Sequence, residues 1–371
     1  MKKIISCILV FCFLFTVCSV NAFAADEAVD NNAVTRGHTE IFNSQLYRGD
    51  ITGDNKVTEE DARKYLRVAA NIEPKQENVS YDITGDGVVT TADARKALRV
   101  AAGLELTATD EEIFEYFLNE LNSVKSTRPG FKRTATGTCK SARVTITGAP
   151  KGLTWDMNAN NKEYKDYVKG LKSVFSLVNK EADYQQMVKE AEAIYEPQVA
   201  EKVIKPTSSQ HYTYFPVQGL ATSCRLSFEE IESISLKIIE GYYIITLTMD
   251  DYTYEGENPY PATAKEYTAR QNLPYGKIFN IPEFSEDDGY ELQKVALDKG
   301  KVIVKMDSTT GEIINAQYFF RCTSTVRNEE EVKDKDGNVS SIMVTTMKNI
   351  VEYDEYFDMQ AKELTETEEN K

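Results

Sequence analysis

Asp50-Ile51-Thr52-Gly53-Asp54-Asn55-Lys56-Val57-Thr58-Glu59-Glu60-Asp61 is the stretch whose residue types and spacing can do chemistry. A hard cation such as calcium takes about six to eight oxygens from a loop that doubles back on itself, at loop positions 1, 3, 5, 7, 9 and 12. Those positions are Asp50, Thr52, Asp54, the carbonyl of Lys56, Thr58 (through a water) and Asp61. A second stretch places Asp82, Thr84, Asp86, the carbonyl of Val88, Thr90 and Asp93 at the same positions. Each loop brings three carboxylates, enough to offset a divalent charge. Position 6 needs a positive φ, which Gly87 adopts freely and Asn55 tolerates. Thr at position 3 is neutral, and Asp at position 12 is a methylene shorter than Glu, so both lower the affinity. The expectation is two calcium ions.

Positioning the loops falls to the segments on their C-terminal side. Asp50–Glu73 and Asp82–Glu105 are identical at 17 of 24 positions and start 32 residues apart, which marks a duplicated unit. Each loop runs into a short helix. Ala62, Tyr65, Leu66, Ala69 and Ala70 share one face of the first, and Ala94, Ala97, Leu98, Ala101 and Ala102 one face of the second. Gly103 and Asn71 suit left-handed caps. Two loop–helix elements packed on their apolar faces are expected.

The chain has 371 residues and a net charge of −16. That charge argues against nucleic acid and against anionic membrane surfaces as partners. With 2 histidines in all, His38 and His211, a histidine-rich metal site is excluded. Lys2-Lys3, the apolar run Ile4–Val20 and Ala22-Phe23-Ala24 read as a secretion signal over 1–24, cut before Ala25. The apolar run is short for a membrane span, so an integral membrane protein is not expected. Residues 25–45 are a polar leader. Cys139, Cys224 and Cys322 stay with the mature chain, as three buried thiols or as one disulfide with a spare thiol.

Residues 107–371 form the larger domain. Thr109 with Asp110, Glu111 and Glu112 is a capping box, and Ile113, Phe114, Phe117, Leu118, Leu121 and Val124 stripe a helix that stops before Pro129-Gly130. Phe131–Gly148 reads as extended. Tyr164–Val178 and Tyr184–Ile194 carry helical periodicity. After Glu201 the pattern is mostly strand. Turn signals stand at Glu240-Gly241, Asp307–Gly311 and Asp334–Asn338. The fold class expected is α+β: a small all-α calcium-loop module over 46–106, then helices packed on a curved antiparallel sheet.

No catalytic constellation stands out in this larger domain. Asp250-Asp251, Glu286-Asp287-Asp288 and Glu329-Glu330-Glu331 sit beside turns or charged loops and read as solvated surface. His211 is followed by Tyr212, and no serine has the flanking glycines of a nucleophile elbow. Tyrosines and phenylalanines are plentiful, and neighbours such as Tyr242-Tyr243 put one ring on each sheet face. An outward aromatic face can hold a glycan, a lipid or a peptide.

Loop plus exiting helix, twice, without an entering helix, resembles the type I dockerin module over about Leu46–Leu106. The Gly49-Asp50 opening and the register from Asp61 to Leu66-Arg67, repeated from Asp93 to Leu98-Arg99, carry the likeness. Tyr81 replaces the opening glycine in the second copy. The resemblance implies docking on a cohesin domain of a scaffold or surface protein. Recognition would fall on Glu59, Glu60, Leu66 and Arg67 in one copy and on Thr91, Ala92, Leu98 and Arg99 in the other, with Leu66 and Leu98 core residues on the alternative reading. It implies an extracellular protein, held at a cell surface through cohesin, in a polysaccharide-degrading (cellulosome-like) system, carrying a non-catalytic ligand-, glycan- or protein-binding domain. The alternatives are a dockerin-borne O-glycosyl hydrolase and a lipid or small-ligand carrier whose calcium module is structural. The larger domain resembles only uncharacterised secreted bacterial domains, through Phe215-Pro216-Val217 and the Lys301–Gly311 hairpin.

Overall fold

The structure, a computed structural model, describes residues 48–54, 57–77, 79–147, 153–156, 196–216, 224–255, 273–281, 291–308, 310–333 and 336–361. The first two helices are α1 (Glu59–Ala69) and α2 (Thr91–Ala101). Each begins with a threonine cap and a carboxylate three residues on: Thr58 with Asp61, Thr90 with Asp93. The pairing satisfies main-chain N–H groups that have no partner inside the helix. Each ends in a left-handed residue, Asn71 at φ 54° and Gly103 at φ 66°. The N–H groups of Ile72 and Leu104 reach back to the carbonyls of Arg67 and Arg99, at 2.8 and 2.9 Å.

The packed face differs from the expected one. Ala62, Tyr65 and Val68 of α1 are buried, as are Ala94, Ala97 and Val100 of α2, whereas Leu66 and Leu98 are 48% and 49% exposed. The two short helices meet along one narrow line of i, i+3, i+6 residues. Ile51, Tyr81 and Ile83, from the loops and their approaches, fill the flanks where Leu66 and Leu98 were candidates.

The third helix, α3 (Asp110–Thr127), starts at the Thr109–Glu112 capping box. It buries Ile113, Phe114, Phe117, Leu121 and Val124 and stops where Arg128 turns left-handed before Pro129. The nine strands are β1 (Phe131–Thr147), β2 (Leu153–Asp156), β3 (Gln198–Ile204), β4 (Ile231–Ile239), β5 (Tyr242–Met249), β6 (Tyr252–Glu255), β7 (Glu291–Asp307), β8 (Ile313–Lys333) and β9 (Val339–Asp358). They form one antiparallel open sheet in the order β2-β1-β9-β8-β7-β5-β4, with β3 also on β1 and β6 also on β7. The architecture is α+β, helices first and then the sheet.

The three expected turns link β4 to β5, β7 to β8 and β8 to β9. Glu240 and Gly241 both take positive φ, 51° and 82°, which matches the twist of a two-residue hairpin. The sequence signal places the seventh strand at Lys301–Met306, yet β7 begins at Glu291. The strand carries a bulge at Asp298-Lys299-Gly300, with Lys299 at φ 56°. Gly300 is required there: a Cβ would stand 2.7 Å from the Tyr275 ring and 2.8 Å from Met249 Cβ. The two helical patterns between Tyr164 and Ile194 lie outside the described residues.

One sheet face carries the core. Tyr318, Phe320, Tyr353 and Phe357 point inward under Phe215, Tyr275 and Phe279, and Tyr116 of α3 meets Tyr243 edge-on with ring centroids 6.3 Å apart. The alternate residues Tyr242, Phe319 and Tyr356 point outward.

Candidate metal centre

In the first loop the carboxylates of Asp50, Asp54 and Asp61 each bring an oxygen within 4.8 Å of the others. Among the described residues this is the one such group of acidic, histidine or cysteine side chains. Asp50 and Asp54 sit at the loop's exposed mouth, and Asp61 is fully buried at the base of α1. Lys56 and Asn55 lie outside the described residues. Thr52 turns its hydroxyl to Asp50 at 3.2 Å, and Thr58 turns its own to Asp61 at 2.9 Å.

Asp61 is placed by the main chain. Its Oδ1 accepts the N–H groups of Ile51 and Thr52, both at 2.9 Å, and its Oδ2 accepts the N–H of Thr58 at 2.7 Å. One buried carboxylate thus joins the start of the loop to the start of the helix. Burial pushes its pKa up, but these donors outweigh burial and hold the carboxyl below its ordinary value. Asp93 does the same for the second loop. It accepts from Ile83 and Thr84 N–H at 3.0 and 3.1 Å and from Thr90 N–H at 2.7 Å, and its pKa is lowered by the same balance.

At the mouth of the first loop Asp50 accepts the N–H groups of Thr52 and Gly53 at 3.1 and 2.6 Å, and the second loop has the matching bond from Gly85 to Asp82. Asp82 accepts the N–H groups of Gly85, Asp86 and Gly87 at 2.7, 3.2 and 2.7 Å, the last on its other oxygen. The Gly87 N–H above all holds Asp82 below the ordinary carboxylate pKa. Asp86 accepts Val88 N–H at 2.8 Å. Asp82, Asp86 and Asp93 do not form a converging group like that of the first loop.

Gly87 takes the positive φ expected at position 6, 81°. Gly53 and Gly85, at position 4, take it too, at 82° and 80°. Sequence reasoning passed over position 4, although the same glycine recurs in both copies. It also missed Lys64, whose ammonium donates to the Ile51 carbonyl at 2.8 Å and braces the underside of the first loop.

The residues assigned to partner recognition lie on the module's surface. Glu59, Glu60, Thr91 and Ala92 are exposed. Arg67 pairs with Glu73 at 2.8 Å and Arg99 with Glu105 at 2.7 Å, so both guanidiniums are held in matching positions after their helices.

In the larger domain Asp250, Asp251 and Glu329–Glu331 are exposed, as expected of surface charge. Glu286–Asp288 lie outside the described residues. The sheet's buried carboxylate is Glu355, held by Arg133 at 2.5 Å and by Asn280 at 2.9 Å. His211 packs between Phe131 and Phe215, ring centroids 5.3 and 5.4 Å away. Cys139, Cys224 and Cys322 form no disulfide with one another; Cys224 and Cys322 are buried and Cys139 is half-buried. No described helix is long and apolar enough to cross a membrane.

The donor set of the first loop fits a hard cation: carboxylate and hydroxyl oxygens on a doubled-back chain, with no soft ligand. No protein-family model, curated protein or solved structure matches the chain.

Proposed function

We propose that this is a secreted protein whose residues 46–106 form a dockerin-type module that binds two calcium ions and docks on a cohesin of a scaffold or cell surface. The carrying observation is the convergence of Asp50, Asp54 and Asp61 in a loop whose residue pattern is repeated 32 residues later. Supporting it, both loops run into capped helices with a buried carboxylate at position 12. Ca2+ would be held by Asp50, Thr52, Asp54, Lys56, Thr58 and Asp61, and by their counterparts from Asp82 to Asp93. When bound, the cation neutralises the carboxylates that crowd each loop. The chain's own part is to hold Asp61 and Asp93 in place from the loop N–H groups.

The larger domain is read as non-catalytic cargo in a polysaccharide-degrading system. Its outward rings, Tyr242, Phe319 and Tyr356, are the surface offered to a glycan or protein. A glycosidase would need a second carboxylate across from a first, and the partners of buried Glu355 are Arg133 and Asn280.

Calorimetric titration of the whole secreted chain with calcium, after chelator treatment, tests the first step. Saturable binding of two ions is expected, and its loss in a variant carrying Asp50→Ala and Asp82→Ala. A flat titration overturns the reading. Docking is tested by surface binding to purified type I cohesin with calcium and with chelator: binding that vanishes with chelator is expected, and none in either condition removes the docking step.

A further inference from the structure

Both ends of the loop–helix module come together at the first turn of α3. At the far end α2 closes at Gly103, and Thr109 already caps α3. Between them Thr107 is buried, and Leu106 and Ala108 pack against the core of the larger domain. At the near end Arg48 pairs with Glu112, a contact that spans 64 residues of chain.

Glu112 has two tasks there. Its Oε2 accepts the Thr109 N–H at 2.8 Å and completes the α3 capping box. Its Oε1 receives the Arg48 guanidinium. The glutamate side chain is 19% exposed and the arginine 50%, so the pair is only partly screened by water.

Three consecutive residues connect this pair to the metal centre. Arg48 reaches α3. Gly49 runs against the second loop, where an added Cβ would stand 2.5 Å from Ile83 Cδ1. Asp50 opens the first loop and is held by the Thr52 and Gly53 N–H groups. Two Cα steps of about 3.8 Å separate Asp50 from Arg48. Whatever fixes Asp50 therefore also fixes the backbone from which Arg48 reaches Glu112.

We propose that Arg48 and Glu112 form a clasp coupled to the first loop: the pair closes when Asp50, Asp54 and Asp61 hold calcium, and it locks the module onto α3. The clasp rests on the calcium binding proposed above and adds a regulated joint to it. With the ion the module is fastened to the larger domain at both ends; without it the fastening is through residues 103–109. Linkage makes the effect reciprocal, so a pair that closes with the ion raises the affinity for the ion by the same factor. For a partly exposed ion pair that factor is about threefold.

Calorimetric titration of the whole chain with calcium tests this, in wild type, Glu112→Gln, Arg48→Gln and the double variant. Gln at position 112 still accepts the Thr109 N–H, so the cap stays and the ion pair is lost. Arg48→Gln lies outside α3 and leaves that helix unaltered. Each single variant should weaken one of the two sites about threefold, and the double variant should be no weaker than the singles. Unchanged affinity in either single variant overturns the proposal, because a pair that only adds stability does not move calcium binding. So does a double variant weakened by the product of the two, which means that the residues act separately. No binding by the wild type removes the calcium reading and the clasp with it; binding of two ions without the variant effect removes the clasp alone. Hydrogen exchange gives a second readout. Calcium should slow the Glu112 and Ile113 amides about threefold in wild type and leave them unchanged in Glu112→Gln, and equal slowing in both overturns the proposal.

Discussion

The ring of Tyr65 meets that of Tyr81 edge-on, with centroids 5.9 Å apart and planes at 76°. In the duplicated unit Tyr65 corresponds to Ala97 and Tyr81 to Gly49, so the ring pair joins the two copies and its counterparts are both small. Gly49, at φ 126°, lies under Ile83. The departures between the copies are thus coupled: one half of the module fills its interior with rings, and the other closes by bringing main chain near a side chain.

Gly49→Ala probes that closure directly. The new Cβ would stand 2.5 Å from Ile83 Cδ1, on a backbone conformation that L side chains rarely adopt. A loss of about 1–3 kcal/mol is expected in urea unfolding. Adding Ile83→Val should return part of it, because the clash is with the end of that side chain. Unchanged stability in Gly49→Ala would show that the approach is not tight.

Asp61→Asn separates holding the loop from holding a metal. The amide has one acceptor oxygen where the carboxylate uses two, and its NH2 faces a main-chain N–H. A loss of about 2–3 kcal/mol is expected even in excess chelator, since the bonds from Ile51, Thr52 and Thr58 need no ion. A loss seen only with calcium present contradicts this.

Glu355→Gln removes the charge that Arg133 faces. Their side chains are 14% and 11% exposed, for arginine and glutamate respectively. An arginine left without its partner there should cost about 3 kcal/mol. Replacing Arg133 as well, with Met, should recover stability relative to Glu355→Gln alone. Equal unfolding midpoints for wild type and Glu355→Gln would refute the pair's importance.

His211 gives the pH dependence its direction. Burial, with Arg128 nearby adding to it, lowers its pKa to about 4, and among the described residues both buried ring nitrogens have no hydrogen-bond partner. The unfolded chain, with a pKa near 6.5, binds the proton first as pH falls. Stability from this group is full above about 6.5 and falls progressively toward pH 4. Between pH 7 and pH 5 the loss is about 2 kcal/mol. His211→Phe suits the aromatic surroundings and should flatten that slope; urea midpoints at the two pH values measure it.

Local chemistry explains how much was legible in the sequence. The helix start at Thr109, the ends at Asn71, Gly103 and Arg128-Pro129, and the hairpin at Glu240-Gly241 depend on a few adjacent residues. The buried stripe of α3 was readable because it is 18 residues long and packs on one surface. The faces of α1 and α2 were not, because in an 11-residue helix one added apolar residue shifts the apparent stripe. The start of β7 was not legible, because the bulge at Asp298–Gly300 breaks the period-2 pattern within the strand.

For the candidate site, the sequence by itself determined which residues carry oxygen to each loop and that the loop–helix unit is doubled. Those facts depend on residue type and spacing alone. Only the tertiary structure decided that Asp61 and Asp93 are buried staples between loop and helix, and that the first loop's three carboxylates converge while those of the second do not. It also decided that Leu66 and Leu98 face outward and that Glu355 lies paired in the core. Each depends on which distant atoms fill the space around a side chain, and burial and hydrogen-bond partners are set by that packing.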